Sequence, residues 1–181
     1  WIWARPPSAS VTFSEMAPEP AACVETDVSN LSAPTVRRAE ARDAPALALL
    51  MGLLGYPTTE CEMAVRLGRI LPLEDQLVAV AERCATVVGV IAATTGTRLE
   101  LNGRYGRGTV LSVAAGERGR GTGALLLAHA ETWLRKQGVA ACILNSSTHR
   151  EAAHRFYEHE GYRVSGLRFV KELGPVLAAR L

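Results

Sequence analysis

Apolar and polar positions follow a regular spacing from Val36 onward, and this spacing changes between a helical period and a strand period along the chain. Residues 1–34 are instead rich in proline, alanine and serine, so we predict that they form a tail outside the fold. Residues 1–15 precede the first methionine, Met16, and are expected to be a leader or an appended segment. The remaining residues, 35–181, are predicted to form one α/β domain.

The expected order of elements is β-α-α-β-β-β-α-β-α-β-β. Helices are predicted where apolar residues recur every three or four positions, and strands where short runs are rich in valine, isoleucine and threonine. A glycine-interrupted segment, 99–108, is predicted to be a loop. Gly55, Gly138 and Gly161 are expected to end helices, and Thr58 or Thr59 to cap one. The predicted elements are residues 35–40, 40–55, 58–71, 76–82, 85–94, 109–115, 122–137, 139–147, 149–161, 162–164 and 167–173.

Composition and charge exclude several classes of function. The chain has 20 lysines and arginines against 18 acidic residues, a net charge of +2, which is not the strong positive field typical of nucleic-acid binding. No apolar run approaches the roughly 20 residues that cross a bilayer, so no membrane partner is expected and a cytoplasmic location is predicted. The cysteines are far apart and the histidines lack a ligand spacing, so neither a disulfide framework nor a metal site is expected. The cysteines are Cys23, Cys61, Cys84 and Cys142.

The stretch RGRGTGA, Arg118–Ala124, joins a predicted strand to a predicted helix and is typical of an anion-binding turn. Gly116 and Gly121 have the spacing of a P-loop, but Thr122 follows where that loop has lysine. The run also fits the GxGxxA pattern of dinucleotide-binding turns, yet the next strand ends in ILNSS without the acid that holds a ribose. A purely structural glycine turn is a further alternative. In the pattern RxxGxG, several N–H groups and a helix N-terminus can point at one anion, which suits a pyrophosphate.

Two stretches together resemble a known family. LSVAAGERGRGTGALLLAHAETWLRKQG, residues 111–138, resembles the acetyl-CoA-binding motif of the GNAT superfamily of N-acetyltransferases. LNSSTHREAAHRFYEHEGYRVSGLRFVKEL, residues 144–173, resembles the second GNAT motif, particularly that of aminoalkylphosphonate and other small-amine N-acetyltransferases. The resemblance implies an α/β fold with a mixed, mostly antiparallel sheet that splays between two strands and is flanked by about four helices. It also implies acetyl-CoA as cosubstrate and makes its pyrophosphate the anion of the turn.

The resemblance assigns roles around the cosubstrate. The backbone of Leu111 and Val113 is expected to pair with the pantetheine arm and Asn145 to contact it; ordinary core strand residues and a polar strand end are the alternatives. Tyr157 is expected to return a proton to the departing thiolate, because a phenol with a pKa near 10 can protonate a thiol group with a reference pKa of about 8.5. A tyrosine that only packs beside Phe156 is the alternative. The turn residues expected to bind the pyrophosphate are Arg118, Gly119, Arg120, Gly121, Thr122, Gly123 and Ala124.

The general base and the acceptor are less well defined. Many GNAT relatives carry an acidic residue where this chain has Thr109, so Glu100 is the candidate to substitute, directly or through water. The alternatives are that Glu100 is a solvated surface acid and that the amine needs only a chain of water molecules. Ser146, His149 and Arg168 are expected to border the acceptor, although solvated surface positions explain each of them equally well.

The predicted activity is acetyl transfer from acetyl-CoA to a small primary amine, including anionic amines such as an aminoalkylphosphonate. Arg104 and Arg107, in the predicted loop, are expected to close over such an acceptor and to bind its anionic group. The alternatives are a protein N-terminal or lysine acetyltransferase and a non-catalytic acyl-CoA-binding regulatory module. A homodimer is predicted, with the apolar residues 174–181 packing against the second copy.

Overall fold

A five-stranded β-sheet carries helices on both faces in the computed structural model, which describes residues 32–100, 102–171 and 173–174. The strands are β1 (Thr35–Arg38), β2 (Gln76–Arg83), β3 (Thr86–Thr97), β4 (Arg104–Val113) and β5 (Val139–Leu144). The helices are α1 (Ala44–Leu53), α2 (Glu60–Ile70), α3 (Thr122–Lys136) and α4 (Glu151–His159). The strands follow one another across the sheet in chain order, with β1 to β4 antiparallel and β4 and β5 parallel. The predicted α/β class, with its mixed, mostly antiparallel sheet, is confirmed.

Alternation along β2 assigns the helices to the two faces of the sheet. Val78 and Val80 are buried in one cluster with residues of α1 and α2. Leu77, Ala79 and Ala81 are buried in a second cluster with residues of α3. Successive side chains of a strand point to opposite faces, so this five-residue apolar run is the pattern of a strand covered on both sides.

Local signals in the sequence set the ends of the helices. Thr59 caps α2 as predicted: its Oγ1 accepts from the Glu62 N–H at 3.2 Å, while the Glu62 carboxylate accepts from the Thr59 N–H at 2.8 Å. Gly55, Gly138 and Gly161 follow α1, α3 and α4, all three with positive φ. These predicted helix stops are confirmed.

The sheet splays between β4 and β5. Their parallel pairing ends where Gly108 faces Leu144, whereas β4 continues to Val113 alongside β3. The last five residues of β4 therefore have one edge paired with β3 and the other edge turned toward the gap. The predicted splay is confirmed.

A bulge in β4 explains the position of the splay. Ala92 pairs with Val110 and Ala93 pairs with Gly108, which leaves Thr109 as the extra residue on β4. Thr109 Oγ1 donates to the Ala92 C=O at 3.2 Å and holds the bulge against β3. A bulge bends its strand and increases the local twist, so β4 turns away from β5 at this residue.

The two closing strands predicted at 162–164 and 167–173 are wrong. None of the described residues after α4 lies in a strand, and residues 163–171 are exposed. Valine, leucine and phenylalanine give this segment the composition of a strand, but a strand forms only when a second backbone pairs with it.

The loop predicted at 99–108 is also wrong in its second half, because β4 begins at Arg104. The glycine content is explained by close packing: a Cβ on Gly106 would lie 2.7 Å from Leu134 Cδ2 of α3. Arg104 and Arg107 therefore lie on a strand and not in a flexible loop. Arg104 Nη2 donates to Thr95 Oγ1 at 2.7 Å, which ties this arginine to β3.

Residues 1–31 and 175–181 lie outside the described residues. The predictions of an N-terminal tail, a leader, a boundary at residue 35 and a C-terminal dimer contact stay predictions.

Candidate functional site

The glycine turn predicted to bind an anion leads directly into α3. Gly119 and Gly121 have φ angles of 73° and 81°, in the left-handed region that a side chain disfavours. Gly121 is the N-cap of α3, and the Leu125 N–H donates to the Gly121 C=O at 3.0 Å. The first N–H groups of a helix have no acceptor within the helix, so those beginning at Thr122 lie at its positive end. This backbone geometry suits an anion such as a diphosphate.

A buried carboxylate that the sequence pattern does not single out lies beside this turn. Glu117 is 7% exposed, and its Oε2 accepts from Arg83 Nη2 at 3.0 Å and from Thr122 Oγ1 at 3.0 Å. Burial acts to raise the pKa of Glu117, but the hydrogen bonds from Arg83 and Thr122 hold that pKa below its usual value. Arg83 is the last residue of β2, 34 residues before Glu117, so no local signal in the sequence identifies the pair.

The end of β4 provides a free backbone edge next to the turn. Leu111 and Val113 pair with Ile91 and Gly89 of β3. On the side of β5, the described strands give no register partner to β4 after Gly108. An extended ligand arm can add to such an edge through backbone hydrogen bonds, which is the role predicted for these two residues.

Helix α4 carries Tyr157, which packs in the same hydrophobic cluster as Leu111 and Val113 at the end of β4. A Cβ on Gly123 would lie 3.5 Å from Phe156 Cζ and 3.9 Å from Val113 Cγ2, so the start of α3, the end of β4 and α4 meet here. The Tyr157 ring packs edge-on against Phe156, with 5.3 Å between ring centroids. Burial raises the pKa of Tyr157, and the positive charge of Arg150 offsets part of this rise. Its hydroxyl therefore carries a proton at neutral pH, as a general acid requires.

A second tyrosine nearby is engaged elsewhere. The Tyr162 O–H donates to Glu131 Oε1 at 2.9 Å, and both residues line a cavity of about 400 Å³ beside β5 and α3. Burial raises the pKa of Tyr162, and its contacts with Cys142 and Glu131 raise it further. Because its proton is held by a carboxylate, Tyr162 is a poorer candidate for a proton donor than Tyr157, whose ring centroid lies 5.8 Å away.

Polar contacts surround the point where β4 and β5 separate. With its amide oriented to satisfy both partners, Asn145 Oδ1 accepts from Arg107 Nη2 at 2.7 Å and Nδ2 donates to the Leu144 C=O at 3.3 Å. Arg150 Nη2 donates to the Leu54 C=O, just after α1. Arg107 thus links β4 to the residue that follows β5, and Arg150 links the start of α4 to the end of α1.

The predicted acceptor residues differ in their surroundings. Ser146 is half-buried between β5 and α4, and His149 is exposed just before α4. The Glu100 side chain is 69% exposed, 4.0 Å from Arg98, in the manner of a surface acid. Arg168 lies in the exposed segment after α4. No hydrogen bond or ion pair joins Glu100 or Arg168 to Tyr157 in the described residues, so their roles stay predictions.

Residues 32–100, 102–171 and 173–174 contain no group of three or more histidine, cysteine, aspartate or glutamate side chains that could hold a metal ion. They also contain no helix that is both long enough and apolar enough to cross a membrane.

A sheet that splays beside a glycine turn is the arrangement that the sequence analysis expects of an acetyltransferase of the GNAT type, and comparison with known families gives the same class. The family described as "Acetyltransferase (GNAT) domain" matches residues 74–164, half of the chain, and the chain belongs to this family. The match contains the turn, the splay and α4. The predicted resemblance to the GNAT superfamily is confirmed.

Among individual proteins, the chain is 38% identical over 93 residues to an aminoalkylphosphonate N-acetyltransferase of Salmonella typhimurium. This alignment covers 51% of the chain and 60% of that relative, so the chain spans less than two thirds of the relative's length. Two solved structures share the fold. A transcriptional regulator from Bacillus halodurans has a TM-score of 0.72 at 19% identity, covering 78% of this chain and 100% of that one. An aminoglycoside N-acetyltransferase in complex with CoA has a TM-score of 0.70 at 13% identity, covering 78% and 96%.

Proposed function

We propose that this protein is an acetyl-CoA-dependent N-acetyltransferase that transfers the acetyl group directly to a small primary amine. The observation that carries the proposal is that the start of α3, the end of β4 and α4 meet, with Phe156 and Val113 next to Gly123. In the proposal, one binding surface runs from the left-handed turn at Gly119 and Gly121, along the free edge of β4 at Leu111 and Val113, to the half-buried Tyr157. Membership of the GNAT family and the similarity to a named N-acetyltransferase support the same activity.

Each part of this surface has a distinct task. The backbone N–H groups of residues 119–124, with the side chains of Arg118 and Arg120, bind the diphosphate. The edge of β4 holds the pantetheine arm in extended form, and Asn145 contacts it. Acetyl-CoA supplies an acetyl group as a thioester, which is open to attack by a neutral amine. Tyr157 donates its proton to the sulfur as the carbon–sulfur bond breaks.

The proton lost by the amine has no evident acceptor on β4. Thr109 replaces the acidic residue of many relatives, and its hydroxyl already donates to the Ala92 C=O. The amine proton therefore passes to water, with Glu100 as the side chain predicted to receive it. Such a path leaves the pKa of the bound amine as the main control of the rate at neutral pH.

The acceptor in this proposal carries an anionic group as well as its amine. Arg107 binds Asn145 at the splay, and Arg150 donates to the Leu54 C=O while its charge acts on Tyr157, so both guanidinium groups are candidates to bind that anionic group. Guanidinium groups favour phosphonate and carboxylate oxygens, and the relative that matches the chain is named for an aminoalkylphosphonate. Ser146, His149 and Arg168 are the further candidate contacts.

The test is thiol release from acetyl-CoA with a panel of acceptors. The panel pairs each aminoalkylphosphonate with the alkylamine of the same length that lacks the phosphonate. It also includes a peptide that has a free N-terminus and a lysine side chain. We expect turnover with small amines and a higher kcat/KM for the phosphonate of each pair. Turnover with the peptide alone supports the protein acetyltransferase instead. Binding of acetyl-CoA without turnover of any acceptor contradicts the enzyme proposal and supports the non-catalytic module.

Two properties of the whole protein belong to the same proposal. A cytoplasmic location agrees with the supply of acetyl-CoA, and a homodimer is the expected assembly. Sedimentation of the full chain tests the second of these.

A further inference from the structure

The buried carboxylate beside the turn belongs to a compact polar cluster, which we define as Arg83, Glu117 and Thr122. The side chains of Arg83 and Glu117 are 11% and 9% exposed, and Thr122 is fully buried. A buried ion pair contributes little net stability compared with well-packed apolar residues, because both charges lose their hydration. The cluster is therefore poorly explained as a device for stability alone.

Its geometry connects three parts of the chain through one carboxylate. Glu117 Oε2 accepts from Arg83 Nη2, at the end of β2, and from Thr122 Oγ1, in the first residue of α3, each at 3.0 Å. Glu117 Oε1 lies 3.6 Å from Arg120 Nη1, between the two left-handed glycines. The carboxylate thus fixes the first turn of α3 and the middle of the glycine turn relative to the end of β2.

We infer that Glu117 is a positioning residue for diphosphate binding, acting through Thr122 and Arg120 rather than by contact with the ligand. This inference rests on the proposed function, because it assumes that the turn receives the diphosphate of CoA. An acidic side chain repels an anion, so its presence beside this turn requires a benefit larger than that repulsion. The benefit is a turn whose N–H groups already point at the ligand before it binds.

The inference makes a prediction of opposite sign to simple electrostatics. Replacing Glu117 with glutamine removes a negative charge near the anion, while Arg83 and Arg120 stay positive. Charge alone predicts that CoA then binds more tightly. Loss of the positioning contacts predicts weaker binding, because a hydrogen bond to a charged group is lost and the turn must be ordered by the ligand.

The experiment compares Glu117→Gln, Thr122→Val and Thr122→Ser with the wild-type full chain. Isothermal titration with CoA gives the dissociation constant, and steady-state turnover gives kcat and the KM for acetyl-CoA. S-acetylpantetheine, which has no diphosphate, is the matched thioester substrate. Glu82→Gln is the control: it removes an acidic group one residue before Arg83 on β2 that pairs with Arg37 instead.

We expect Glu117→Gln to weaken CoA binding about tenfold and to raise the KM for acetyl-CoA similarly, with kcat within about twofold. Thr122→Val, which changes no charge, weakens binding in the same direction, and Thr122→Ser restores it. Turnover of S-acetylpantetheine stays within about twofold in all variants. Glu82→Gln binds CoA as the wild type does.

Unchanged or tighter CoA binding by Glu117→Gln overturns the inference. An equal loss of kcat/KM with S-acetylpantetheine overturns it too, because a general loss of structure, unlike a misplaced turn, affects both substrates. Thermal melts of each variant set a titration temperature at which it is folded. A wild type that binds CoA but turns over no amine contradicts the proposed function and leaves the binding comparison intact. A wild type that does not bind CoA overturns both.

Discussion

Two buried carboxylates in this protein are each paired with an arginine, yet they connect different parts of the fold. Asp43, 4% exposed, accepts from both terminal nitrogens of Arg37 at 2.8 Å and from the Glu40 N–H at 2.8 Å. Glu117, 7% exposed, accepts from Arg83 and from the side chain of Thr122.

The difference lies in what each carboxylate fixes. All partners of Asp43 come from within six residues, and they join β1 to the start of α1. Those of Glu117 join strand, turn and helix across 34 residues, where two left-handed glycines shape the backbone. The comparison indicates that the same kind of ion pair joins two elements of the fold at Asp43 and, in our proposal, keeps the shape of a ligand-binding turn at Glu117. Substitutions at the two sites should therefore change different measured quantities.

The largest expected effect is on stability, at Asp43. Asp43→Asn leaves Arg37 with Glu82 as its remaining acidic partner and removes the buried, charged acceptor of three hydrogen bonds, so it is expected to lower the free energy of unfolding by about 3 kcal/mol. CoA affinity, measured well below the melting temperature, should not change. Chemical denaturation and calorimetric titration check the two parts. Glu40→Gln, whose ion pair with Arg42 is exposed, is the control and should cost less than about 1 kcal/mol. A loss of CoA affinity in Asp43→Asn would remove the distinction between the two pairs.

The next largest effect is expected on kcat, at Tyr157, which belongs to neither ion pair. Tyr157→Phe removes the proposed proton donor but keeps the ring that packs against Phe156. We expect kcat to fall about 100-fold while the dissociation constant of CoA is unchanged. Tyr162→Phe is the matched control, because that hydroxyl is bound to Glu131, and its kcat should change far less. Full kcat in Tyr157→Phe would show that the acid is another group.

A smaller effect is expected in the turn itself. Gly121→Ala forces a side chain into the left-handed region at φ 81°, which costs about 1–2 kcal/mol and favours a different turn, so CoA binding should weaken about tenfold. Gly116→Ala is the control, since a Cβ there meets nothing within 4 Å and no positive φ is required. Equal affinities of the two variants would mean that the shape of the turn does not determine binding.

The smallest expected effect is the pH dependence of the stability that Asp43 contributes. Hydrogen bonds from Arg37 lower the pKa of Asp43 in the folded state despite its burial. Its contribution to stability is therefore complete above the unfolded pKa of about 3.9 and is lost as pH falls through the lowered folded pKa. The difference in unfolding free energy between wild type and Asp43→Asn should be constant near neutral pH and shrink below about pH 4. A difference that grows in acid would reverse the assigned sign.

Local patterns were sufficient for much of this structure and insufficient for its long-range contacts. The cap at Thr59, the helix stops and the turn before α3 follow from residues close together in the chain. The sequence does not predict the start of β4, because the glycines of this segment are typical of a loop. Gly106 is instead required by close packing against Leu134, which is distant in the sequence. The closing strands were wrong because a pattern predicts the ability to pair but names no partner.

The candidate site divides in the same way. Gly119, Gly121 and Tyr157 belong to contiguous motifs, so the sequence identifies them without reference to the fold. The bulge at Thr109 and the contact between Arg83 and Glu117 depend on which strands become neighbours. Contacts of this second kind become visible only in three dimensions.

The structure of the complex with CoA tests the central claim most directly. The account predicts that the diphosphate accepts hydrogen bonds from the backbone of residues 119–124, and that the pantetheine arm lies along the β4 edge from Thr109 to Val113. The sulfur should lie within hydrogen-bond distance of the Tyr157 hydroxyl. A diphosphate bound away from the turn, or a sulfur out of reach of Tyr157, would contradict the account.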